Sequence, residues 1–299
     1  MAIEIFLRGG LGNQLFQYAA GLYLAGKQNE KAVFRSDLLP IEPDSIANVF
    51  RWPIQIGEFK LDGTISSHSN QPHGSTTGFS KLMQVGRIMG DYFPQFMIRL
   101  GYLSGEAFLP DDYSSLPSIR QINSYCTSAQ PAMLLGDSLR EQITDLVNPS
   151  RKFEEVMAES EKLKPTMVHL RLGDYRGLPN LYGKANVGKL QEIIEVSSAS
   201  SGGPVWLFTD SPEDVGVELT SQLGVDRVLG PNILPAPIEN MIAMSSGANL
   251  ICANSTFSWW AAFLKGPKGT VFFPKATGVP IRVFKDDMVL WDWTGYDAA

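Results

Sequence analysis

Apolar positions along this chain switch repeatedly between two spacings, and the switching itself predicts an architecture. Short apolar runs at residues 3–7, 31–34, 166–172, 205–208, 227–229, 250–253 and 270–273 read as strands. Between them apolar residues recur at helical spacing. Leu15, Phe16, Ala19, Leu22 and Tyr23 mark a helix over residues 13–27, and Leu190, Ile193 and Ile194 mark one over 187–197. Further helices are predicted over 153–164, 238–246 and 255–264. A helix is also expected after Ser211 as cap and Pro212 as first residue, and a loop over 198–203. Strands alternating with helices predict an α/β protein with parallel sheets covered on both faces.

The first half is less regular. Residues 119–122 and 132–135 read as strands, 46–51 as a short helix, and 138–146 as a helix closed by Asn148-Pro149. Residues 79–103 are apolar with helical tendency, and their Met83, Met89 and Met97 read as core fillers. Residues 63–78 are rich in Ser, Thr, Asn, Gly and Pro without apolar periodicity, the pattern of a long surface loop. The boundary falls near residues 148–165, giving an N-terminal domain at 1–150 and a C-terminal domain at 151–299.

Composition narrows the function classes. A net charge of −6 over 299 residues argues against a general nucleic-acid binder, which needs a basic face. The two cysteines, Cys126 and Cys252, read as buried apolar residues of a reducing compartment. Only three histidines occur, and two of them, His68 and His73, fall in the polar loop, so no metal site is expected. No apolar run is long enough to span a bilayer, and the start of the chain carries no signal pattern. The reading is a cytosolic protein, free or at the inner membrane face.

Three places carry candidate chemistry, all at predicted strand C-termini, where open α/β sheets bind ligands. In Val168-His169-Leu170-Arg171-Leu172-Gly173-Asp174-Tyr175, His169 and Arg171 lie two apart, and a strand turns both to one face. Asp210 follows the strand at 205–208. Asn254-Ser255-Thr256-Phe257-Ser258 opens a helix with a run of hydroxyls, suited either to holding a phosphate or to plain capping. A glycine-rich turn, Arg8-Gly9-Gly10-Leu11-Gly12-Asn13-Gln14, joins the first strand to the first helix. It is either a phosphate cradle or a tight turn: it lacks the third glycine of a dinucleotide fingerprint and the Lys-Ser/Thr of a P-loop. Arginine, helix start and hydrogen-bonding acid on one rim suit a nucleotide diphosphate without a metal.

At these residues the chain resembles the α-1,2-fucosyltransferase family shared by bacterial and animal enzymes. The matching pieces are Gly9 to Ala19, Val168 to Tyr175, Phe208-Thr209-Asp210, Glu239-Asn240-Met241 and Ala253 to Ala262. The resemblance implies a GT-B-like fold, two Rossmann-like domains facing across a cleft, with the C-terminal one binding the donor. It implies transfer of L-fucose from GDP-L-fucose to the 2-hydroxyl of a terminal galactose on a glycan, with inversion and without a metal cofactor. In that family Arg171 would contact the β-phosphate, and His169 and Asp210 would lie near the guanosine. Asn254, Ser255, Thr256 and Phe257 would hold the diphosphate, and Gly10, Gly12, Asn13 and Gln14 would close over it. Asp174 is the candidate general base, or it only orders its loop. Leu172 stands where the family usually has a second arginine, a loss that is structural, weakens leaving-group stabilisation or marks altered specificity. Trp259 and Trp260 read as packing within their helix.

Two rival classes remain at this point. A nucleotide-linked oxidoreductase would use the glycine turn, but the third glycine and an acid after the second strand are missing. A non-catalytic nucleotide- or sugar-binding module differs from an enzyme only in an assay.

Overall fold

The structure is a computed structural model that describes residues 2–35, 85–86, 88–105, 110–145, 147–173, 179–183 and 186–297. The expected helix at 46–51 and the polar loop at 63–78 lie outside the described residues. The chain divides into two compact units, Met1–Leu146 and Val147–Ala299.

In the first unit, β1 (Ala2–Phe6) leads through the glycine turn into α1 (Leu11–Gln28), followed by β2 (Lys31–Arg35). After α2 (Pro94–Arg99) come β3 (Tyr102–Gly105), β4 (Gln121–Ser124) and α3 (Ala129–Asp145). The strands form one parallel sheet in the order β2-β1-β4-β3. The strand expected at 132–135 is instead part of α3. A four-residue apolar run has no periodicity to separate strand from helix. Here Ala132 is buried while Met133 and Leu134 are exposed, a helical one-sided pattern. The helix bends at Gly136, where φ is 57°. Met89 and Met97 are only half-buried, and Met83 lies outside the described residues.

The second unit runs α4 (Arg151–Leu163), β5 (Thr166–Leu170), α5 (Pro179–Tyr182), α6 (Val187–Ser201), β6 (Val205–Thr209) and α7 (Val217–Gln222). It continues with β7 (Arg227–Leu229), α8 (Pro237–Ser245), β8 (Asn249–Ile251), α9 (Thr256–Lys265), β9 (Thr270–Pro274) and β10 (Thr294–Tyr296). All six strands are parallel, in the order β10-β9-β8-β5-β6-β7. From β5 the chain winds outward through β6 and β7, then returns to the other side of β5 for β8, β9 and β10. The reversal opens a crevice between β5 and β8 at their C-terminal ends. Every residue of β5 and β6 is buried, as a central parallel strand covered on both faces requires.

Local chemistry moves several boundaries. α6 passes through the loop expected at 198–203 and stops at Gly202, where φ is 66°. Asn249 Nδ2 donates to the Ser197 carbonyl at 2.9 Å, so the polar end of α6 is tied to the sheet and stays wound. Ser211 and Pro212 open only a turn of 3-10 helix, Pro212–Asp214, and the Ser211 side chain makes no cap. β10, a short Thr-Gly-Tyr edge, is anchored by its Tyr296 hydroxyl, which donates to the Cys252 carbonyl at 2.8 Å. Cys126 and Cys252 are both fully buried thiols.

Candidate functional site

β5 ends at Leu170, one residue before Arg171, so His169 is a strand residue and Arg171 is not. The shared strand face expected for the two is therefore not how they meet. The chain leaves the ladder because Asp210, just past the neighbouring β6, captures it. Asp210 Oδ1 accepts the amides of Leu172 at 2.9 Å and Gly173 at 3.2 Å. Its Oδ2 lies 3.2 Å from Arg171 Nε, and both side chains are mostly buried. Gly173 is needed for this closeness: a Cβ there would come within 2.9 Å of Asp210 Oδ2 and 3.0 Å of Ser211 Oγ. Leu172 packs, partly buried, against the apolar cluster of Val168, Leu170, Leu190 and Ile194.

The electrostatics follow from burial. Desolvation pushes the Asp210 carboxyl up. Arg171, the two amides and His169 more than reverse this, and hold it below the ordinary carboxylate value. Burial and the nearby Arg171 charge push the His169 imidazole down to about 3, against the opposing pull of Asp210. Its ring is neutral at physiological pH. His169 Nδ1 meets Ser258 Oγ across the β5–β8 crevice, and the ring lies 5.7 Å from that of Phe257.

α9 begins beside them. Ser255 caps it, its Oγ accepting the Phe257 amide at 3.2 Å. The hydroxyl thus caps the helix through a lone pair, and its own proton is still available to donate. First-turn amides that the cap does not take lack intrahelical acceptors and favour an anion, and half-buried Thr256 sits there. The Asn254 side chain is turned the other way. Its Nδ2 donates to the carbonyls of Ile281 at 2.8 Å and Tyr182 at 3.2 Å, and its Oδ1 accepts the Val283 amide at 2.8 Å. It clasps two rim segments together. Trp259 and Trp260 are fully buried in an aromatic cluster with Phe263 and Trp293, as their packing role requires.

The glycine turn belongs to the first unit. Gly9 has φ 71°, and a Cβ there would come within 2.4 Å of Asn13 Nδ2. Gly10 is the N-cap of α1 and lends no side chain to it. Buried Gln14 donates from Nε2 to the Gly9 carbonyl at 2.7 Å, while Gln17 accepts the Arg8 amide at 2.8 Å. Gln14 therefore braces the turn from inside, Gly12 is buried beside it, and Gly10 and Asn13 are the half-buried members.

Asp174 lies outside the described residues. Among the described residues no group of three or more His, Cys, Asp or Glu side chains is placed to hold a metal ion. The sequence placed Ser258 only in the run of hydroxyls suited to a phosphate or to capping, not against His169. The signal was present: it is the one polar residue in the buried run Ser258 to Phe263, and a buried hydroxyl needs a partner.

The profile of glycosyl transferase family 11 matches residues 83–297. The O-antigen biosynthesis glycosyltransferase WbnK of Escherichia coli is 24% identical over 277 residues, covering 86% of this chain and 88% of the relative. Among solved structures, the fucosyltransferase NodZ from Bradyrhizobium superposes with TM-score 0.41 at 14% identity, over 88% of this chain and 91% of that one. POFUT1 in complex with GDP-fucose superposes with TM-score 0.46 at 14% identity, over 91% and 97%.

Proposed function

Because the chain belongs to glycosyl transferase family 11, a fucosyltransferase family, we propose that it transfers L-fucose from GDP-L-fucose to the 2-hydroxyl of a terminal galactose, with inversion. The observation that carries this reading is the Arg171–Asp210 pair at the switch point of the second sheet, beside the α9 N-terminus. The donor is β-linked and the product an α-fucoside, so one in-line displacement suffices. As the glycosidic bond breaks, negative charge moves onto the diphosphate. Arg171, oriented by Asp210 rather than by solvent, meets that charge without reorganising, and the amides opening α9 add to it. These groups supply the neutralisation that a divalent cation supplies elsewhere, which supports a metal-independent reaction. His169, neutral and low in basicity, is a hydrogen-bonding contact for the nucleotide and not a base. Asp174 is proposed as the base for the acceptor hydroxyl. No helix among the described residues is long and apolar enough to cross a membrane.

The test is to incubate the protein with GDP-fucose and lactose, or a related β-galactoside, and read anomeric coupling and linkage by NMR. An α-1,2-fucosyl-galactoside is expected. A β-fucoside would refute single displacement. An α-1,3 or α-1,6 linkage would keep the mechanism and remove the 2-hydroxyl assignment. GDP-fucose binding without transfer to any acceptor would mark a non-catalytic module.

A further inference from the structure

We propose that Ser258 is a positioning residue for the nucleotide: its hydroxyl holds His169 in the tautomer that keeps the proton on Nε2. The rim then presents a neutral imidazole N–H to an acceptor atom of the nucleoside diphosphate. The inference rests on the reading of this rim as a GDP site.

Both partners are buried, Ser258 fully and His169 to within 4% exposure. Ser258 Oγ touches two groups, His169 Nδ1 and the Ala253 amide, the latter at 3.0 Å. These are the only partners of its hydroxyl among the described residues. A hydroxyl has one proton to give. The Ala253 N–H is itself a donor, so that proton goes to Nδ1. An imidazole that accepts at Nδ1 and is neutral carries its own proton on Nε2. The opposite arrangement, Nδ1–H donating to Oγ, would leave the Ser258 proton buried with no acceptor. The Phe257 ring, 5.7 Å from the imidazole, and the β5 backbone fix the ring plane. Nε2 takes no hydrogen bond from the described residues, so its N–H is the point offered to a ligand. A fixed donor there favours a phosphate, ribose or base acceptor and cannot take a proton from a sugar hydroxyl.

Nitrogen-15 NMR of the imidazoles tests this on the ligand-free protein, since the chain has only three histidines and His169→Gln identifies the signal. A ring protonated at Nε2 and bare at Nδ1 is expected, unchanged on acidification to about pH 5 with Arg171 and Asp210 facing it. A ring protonated at Nδ1 in protein that binds GDP would overturn the proposal alone. In Ser258→Ala the single-tautomer signal should be lost and GDP affinity, read by calorimetry, should fall roughly 3- to 10-fold. That variant also strands the Ala253 amide, so a second pair separates positioning from folding. His169→Gln, whose amide nitrogen reaches the Nε2 position, should retain more GDP affinity than His169→Asn, whose amide reaches only Nδ1. The reverse order would overturn the proposal. No GDP binding by the wild type, with the Nε2–H ring intact, would overturn the nucleotide role and the site reading together.

Discussion

Arg171 Nε and Asp210 Oδ2 lie 3.2 Å apart, each just beyond the C-terminal end of one of two adjacent parallel strands. The same carboxylate accepts the next two amides of the Arg171 segment, so the one residue that follows β6 shapes the backbone and aims the guanidinium together. Arg171→Ala should then abolish transfer with the fold kept. A contact that strengthens as charge reaches the diphosphate is worth about 3–4 kcal/mol, or on the order of a hundredfold to a thousandfold in kcat/KM. Steady-state kinetics beside a thermal melt checks this, and activity within about threefold of wild type would sink the assignment. Arg171→Lys should recover little, since an ammonium cannot reproduce the planar fork.

Gly173→Ala tests the same pair from the backbone side. The new methyl would press on Asp210 Oδ2, the oxygen that faces Arg171, from 2.9 Å. The carboxylate can move, but only by giving up its alignment with the guanidinium. We expect kcat to drop about tenfold with little change in melting temperature, because no buried group is left unpaired. Unchanged kcat would mean that the Arg171–Asp210 geometry is not what the reaction uses.

The sequence made the second sheet readable because its strands are buried on both faces, and continuous runs such as Val205 to Phe208 have few alternatives. It also placed His169, Arg171, Asp210 and Ser255 at strand ends. What it could not give was the hydrogen bonding that decides roles. Asn254 reads as a polar residue beside a helix start, and only the fold reveals that Ile281, Tyr182 and Val283 occupy its side chain. Gln14 reads as a loop amide, yet it is turned inward onto Gly9. Arg171 was placed on the β5 strand because periodicity cannot register a carboxylate from another strand pulling the chain out of the ladder. The 132–135 run failed for the opposite reason: too few residues to carry any period.

Transfer should survive excess EDTA. The chain has no Asp-x-Asp motif, and Arg171 with the α9 N-terminus offers positive potential to a diphosphate. The check is the initial rate of GDP release with chelator, then with added magnesium or manganese. Loss of activity that either metal restores would overturn the metal-independent proposal.

Asn254→Ala should act on stability before it acts on the donor. The change strands the buried Val283 amide and frees two part-buried carbonyls, at a cost of about 1–3 kcal/mol. The urea midpoint should fall clearly, with GDP affinity weakened only as the rim loosens. If the midpoint holds and KM for the donor alone rises, Asn254 touches the nucleotide directly and the clasp is secondary.

Acid should destabilise the second unit in two steps, and the signs come from the two shifted groups. His169 is ordinarily a base of pKa 6.5 and is pushed down to about 3 by burial and by Arg171. Between those values the unfolded chain binds a proton that the folded one refuses. The stability it contributes is complete above pH 6.5 and is lost as pH falls toward the folded value. The slope reaches about 1.4 kcal/mol per pH unit while the shift lasts. Asp210, held below its ordinary 3.8 by Arg171 and the two amides despite burial, adds a second loss. Its contribution is complete above 3.8 and disappears as pH falls through its lower folded value. Urea midpoints at about pH 7, 6 and 5 should therefore decline in the wild type and decline less in His169→Gln. Asp210→Asn should leave that upper slope in place, because its carboxylate is ionised in both states throughout the range. Equal slopes for wild type and His169→Gln would show that the imidazole is not held neutral in the fold, and that Ser258 meets a ring able to charge.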